Sequence, residues 1–132
     1  MFNSLEDRCN AIEECYEFML AYAAQGLAGN EGSGSSSQLR TFLNRSVEAL
    51  SGLGGAYSME VPQHQAFLAV LDRDAKDSLA AIELVLAQPA LSSQLIDNLN
   101  ASIHLRALLT DLFLIDEVVK LQRMPVKPAA TS

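Results

Sequence analysis

The segment from Ala107 to Val119 has the periodicity of a helix yet is apolar on nearly every side. Nine of its thirteen residues are apolar: Ala107, Leu108, Leu109, Leu112, Phe113, Leu114, Ile115, Val118 and Val119. At about 100° per residue, Ile103, Ala107, Leu114, Val118 and Leu121 make one seam. Leu108, Leu112, Ile115 and Val119 make a second seam on another side. A small chain must enclose such a helix in its own fold or complete it with a second subunit.

The rest of the chain is long enough for one core. Its 132 residues, 49% apolar and 19% charged, suit a single domain that needs neither disulfide nor metal to fold. Nine basic against sixteen acidic residues leave a net charge of −7, which repels a phosphate backbone, so no nucleic-acid partner is expected. Arg106, Asp111, Asp116 and Glu117 interrupt the most apolar region, so no membrane span is expected. The first residues lack the basic-then-apolar form of a secretory signal, and a cytoplasmic location is expected. Cys9 and Cys15 lie about 240° apart around one helix, which keeps them from bridging there and reads as reduced, packing thiols.

Along the chain, Ser4 with Glu6 and Asp7 marks a helix start. Leu5, Cys9, Ile12, Tyr16, Met19, Ala23 and Leu27 follow at alternating spacings of four and three, and Ala11, Cys15, Phe18 and Tyr22 form a second seam. Asn30 to Ser37 has no apolar residue and reads as a mobile connection. Leu39, Leu43, Leu50, Leu53 and Tyr57 resume the helical spacing until Gly52, Gly54 and Gly55 weaken it. A terminator there outweighs a hinge or the close approach of a partner. Pro62 opens a third helix, whose solvated face pairs Asp72 with Lys76 and Arg73 with Asp77. Pro89 breaks the chain, Ser92 or Ser93 caps a fourth helix, and Pro125 ends it.

Helices are thus expected over about 4–28, 38–53, 62–87 and 91–124, with a Gly/Ser connection at 29–37 and a short tail at 125–132. Short connections favour an all-α, antiparallel four-helix bundle of up-down-up-down order within one domain, 1–124. Such a bundle asks each helix for one inward stripe, yet helices one and four offer two. A homodimer follows, with its interface at Ala11, Cys15, Phe18, Tyr22, Leu108, Leu112, Ile115 and Val119. The alternative is a monomer in which helix four sits centrally.

Chemistry is sparse. Asp97, Asn100, His104 and Asp111 fall on one side of helix four and form the best polar site. Each of the two aspartates is about 10 Å along the axis from His104, so one metal would need carboxylates from another helix. There is no Glu-x-x-His pair, no Cys-x-x-Cys and no Gly-x-Ser-x-Gly elbow, and no metal, cofactor or catalytic set is expected. Glu60 and His64 are separated by Pro62, which spoils a shared helical face. Residues 1–36 hold six acids against the single base Arg8, read as a solvated face rather than a docking surface. A non-catalytic protein–protein interaction module, an adaptor, assembly factor or regulator that is homodimeric, is the leading expectation. The other is a ligand- or metal-binding bundle with a cavity lined by Tyr16, Met19, Phe67, His104 and Phe113.

Overall fold

A computed structural model describes residues 4–29 and 34–124, and every regular element among them is helical. The helices are α1 (Leu5–Ala23), α2 (Gly34–Leu50), α3 (Leu53–Tyr57), α4 (Gln65–Leu86), α5 (Ser93–Asn100) and α6 (Ile103–Arg123). Among the described residues no helix is long and apolar enough to cross a membrane.

The starts follow the sequence signals. Ser4 accepts from the Asp7 amide at 3.1 Å, and Ser92 accepts from the Leu95 amide at 3.1 Å, so each closes one orphan donor of the first turn. The ends differ more. The first helix stops at Ala23, and Gly26 then takes a left-handed φ of 67°. The second begins at Gly34, so residues 34–37 belong to a helix where a mobile connection is expected, while 30–33 of that connection lie outside the described residues. Buried Leu39 and Leu43 anchor that helix against its neighbours, and tertiary docking overrides the weak propensity of Gly and Ser. Gly52, at φ 69°, ends α2, and a five-residue α3 follows. Gly54 makes its close approach within the chain and not to a partner: a Cβ there would lie 2.8 Å from Cβ of Asp72 on α4. The third helix starts three residues after Pro62, at Gln65.

The largest departure is in the fourth helix, which divides at Ala101–Ser102. Ala101 closes α5 through its amide to the Asp97 and Leu99 carbonyls, and Ser102 opens α6 by accepting from the His104 amide at 3.2 Å. The break turns the chain so that α5 packs on α1 while α6 packs on α4.

Packing follows from two-sided helices. The two arms of the chain meet because α2 touches both α1 and α4. Phe18 stacks on Phe42, with ring centroids 4.7 Å apart, which places the second seam of α1 on α2. The first seam turns toward α3 and α6, where Cys9 meets Tyr57 and Asp116. Both seams are therefore covered inside one chain, with Cys9, Ala11, Ile12, Cys15, Met19 and Tyr22 all buried. The second seam of α6 is covered as well: Leu108, Leu112, Ile115 and Val119 are core residues. The expected dimer residues are thus occupied by intrachain packing. A side chain already enclosed by its own fold has no surface left for a second subunit, and of the eight only Phe18 is as little as half-buried.

Two arginines close helix ends from a distance. Arg8 of α1 donates to the Ala49 and Ser51 carbonyls at 3.4 and 2.9 Å, at the end of α2. Arg40 of α2 donates to the Leu86 and Gln88 carbonyls at 3.1 and 2.8 Å, at the end of α4. Cations there satisfy orphan carbonyls and the negative end of the helix dipole. Near the far end of α1, Ser93 ties α1 to α5. Its hydroxyl donates to the Tyr22 carbonyl at 2.7 Å and accepts from the Leu27 amide at 2.8 Å, while its own amide donates to the Leu27 carbonyl at 2.8 Å. The Tyr22 hydroxyl donates to the Leu91 carbonyl at 2.6 Å.

Candidate interaction surface

Helix α6 has two apolar seams; the core takes one whole, and of the other only Ala107 and Val118 are partly covered. The seam of Ile103, Ala107, Leu114, Val118 and Leu121 lies about 125° round the helix from the core seam. Ile103, Leu114 and Leu121 are 75%, 55% and 58% exposed, with Thr110 also exposed between them. Three large aliphatic side chains at helical spacing on one outward face form a stripe rather than scattered exposure. Beside it, between the start of α4 and the second half of α6, runs a groove of about 240 Å³. It is lined by Val61, His64, Phe67, Leu114, Ile115 and Val118, and His64 is its sole polar residue. The apolar surface that α6 leaves exposed is therefore on its first seam, while Leu108, Leu112, Ile115 and Val119, expected at an interface, form its inward side.

The polar constellation does not assemble. The break at Ala101–Ser102 puts Asp97 and Asn100 on α5, and His104 and Asp111 on α6. Asp97 is exposed beside Leu27, Ser93 and Gln94. Asn100 is buried with neither amide atom partnered. His104 is exposed, its Nδ1 4.0 Å from Asp77 of α4, so Asp77 faces the imidazole and forms no ion pair with Arg73 among the described residues. Asp72 does pair with Lys76, at 2.9 Å. Asp111 is 7% exposed and one of its oxygens has no hydrogen-bond partner. Burial, with a hydrogen bond and charge from Asp74 across the α4–α6 seam, lifts its carboxyl to about 7. Among the described residues no three His, Cys, Asp or Glu side chains are arranged to hold a metal ion.

Nor do the expected cavity residues share a cavity. Met19 is in the core, Phe67 lines the apolar groove, and Tyr16 and Phe113 line a separate α1–α6 cleft with Glu13, Glu17 and Arg106. Burial first, then the charges of Asp116 and Glu17, raises the Glu13 carboxyl.

One polar cluster has no sequence signal. The Tyr57 hydroxyl of α3 donates to Asp116 Oδ1 of α6 at 2.5 Å, and Cys9 Sγ of α1 lies 3.0 Å from the same hydroxyl. Burial pushes the Cys9 thiol up to about 12 and the Cys15 thiol up to about 11, so neither is a thiolate nucleophile at neutral pH. The Tyr57 phenol is raised in the same way. The cluster joins three helices that have no motif in common, at sequence separations of 48, 59 and 107. It acts as a polar weld at the foot of a cleft of about 550 Å³, whose rim carries the Glu60–Arg123 ion pair at 3.0 Å.

Comparison of the chain with protein-family models, with curated proteins and with solved structures finds no match in any of the three.

Proposed function

We propose that this chain is a non-catalytic protein–protein interaction module, an adaptor, assembly factor or regulator that works as a homodimer, and that its docking face is the outward seam of α6. In this reading the long helices α1, α2, α4 and α6 make an antiparallel four-helix bundle, with α3 and α5 folded into its connections. The observation that carries the proposal is the exposed run Ile103, Leu114 and Leu121 beside an apolar groove, on a helix whose other seam already supplies the core. Exposed aliphatic side chains in a continuous patch mark a surface that burial in a complex stabilises. The described cysteines are free and buried, which suits a reducing, cytoplasmic compartment.

Sedimentation of the wild type and of Leu114→Asp tests it. The position is more than half exposed, so the variant keeps its helical content while losing self-association. A wild type that stays monomeric, or a variant that associates as well as the wild type, would sink the proposal.

A further inference from the structure

Two exposed charges beside the docking seam indicate what covers it. Arg106 and Glu117 lie on the same flank of α6, the one turned toward α1, and both are exposed. They are three turns apart, about 16 Å along the axis, so they cannot reach each other within one helix. Arg106 shares its cleft with Glu13 and Glu17 but forms no ion pair with either among the described residues, and Glu117 has none there.

Resting on the docking face proposed above, we infer that the occupant is a second copy of this chain. Its α6 lies antiparallel across the first, about a two-fold axis between Thr110 and Leu114. The spacing of the seam fits that symmetry. Ile103 then faces the partner's Leu121 and Thr110 faces the partner's Leu114, each contact occurring twice. In an antiparallel pair like flanks meet, so Arg106 comes beside the partner's Glu117 at both ends of the interface. A parallel pairing brings unlike flanks together and leaves Arg106 and Glu117 without each other, so only the antiparallel register uses both charges.

Charge reversal measured by sedimentation equilibrium tests this. Arg106→Glu and Glu117→Arg each turn two attractions into two repulsions, and each raises the dimer dissociation constant about tenfold. The double variant Arg106→Glu/Glu117→Arg restores the pairs with signs exchanged and returns to within about threefold of the wild type. Circular dichroism on the same samples confirms that all remain folded. If Leu114→Asp abolishes the dimer but the double variant is as weak as the singles, the antiparallel register is wrong and the docking face stands. If Leu114→Asp changes nothing or the wild type is monomeric, the docking face itself is wrong and the register falls with it.

Discussion

The junction of α1 with α5 and the seam of α4 with α6 bury polar groups in opposite ways. At the junction, the Ser93 hydroxyl, the Tyr22 hydroxyl and the backbone groups of Tyr22, Leu27 and Leu91 form a closed set of hydrogen bonds, with no carboxylate or imidazole taking part. At the seam, the Ser78 hydroxyl is satisfied by the His104 carbonyl at 2.9 Å, but a buried Asp111 faces Asp74 with one oxygen unpartnered. Nearby at the end of α5, Asn100 has an unpartnered amide. A closed neutral network contributes the same stability across the pH range where carboxyls titrate, whereas one buried carboxyl facing another contributes stability only while a proton joins them. The contrast separates a fastening from a surface that responds to its surroundings.

The proton dependence of the seam gives the largest expected effect. Asp111 has a carboxyl raised from 3.8 to about 7, so between these values the folded chain holds a proton that the unfolded chain releases. Its contribution is therefore complete below about pH 4, declines as pH rises through about 7, and is absent above that. Denaturant melts of the wild type and Asp111→Asn should agree near pH 4 and diverge by about 2–4 kcal/mol at pH 8, with the variant more stable. Parallel curves at both pH values would remove the distinction between the two regions. Next in size, Ser93→Ala strips partners from the Tyr22 carbonyl and the Leu27 amide and costs about 2–3 kcal/mol. That loss should be equal at pH 5 and pH 8, and a pH-dependent loss would show that the junction also titrates. Smallest, Asn100→Leu replaces an unpartnered buried amide by an apolar group of similar size and should raise the unfolding free energy by about 1 kcal/mol. A destabilised variant would mean that the amide has a partner in solution, an ordered water being the simplest.

How far these regions were legible in the sequence follows from the range of the forces that shape them. Local signals were readable: the caps at Ser4 and Ser92, the stops around Gly26 and Gly52, and the breaks near Pro62 and Pro89 act within one helical turn. The division at Ala101–Ser102 carries no Gly or Pro, only Asn100 and the capping Ser102, so periodicity ran through it. The two seams of α6 were also readable, but which one turns inward was not. Leu108 with Leu112 and Ile103 with Leu114 are equivalent on a helical wheel, and only the placement of α4 distinguishes them. The same holds for Tyr57, Cys9 and Asp116, whose meeting depends on three helices docking together.

The remote arginine caps bear on the order of events during synthesis. Neither α2 nor α4 has a basic residue in its own last turn, so each depends on a cation from an earlier helix, Arg8 for the first and Arg40 for the second. In both cases the donor precedes the acceptor in the chain. Because the chain is made from its N-terminus, the cation that closes each of these helix ends is synthesised before the end itself, so neither cap has to wait for a later segment.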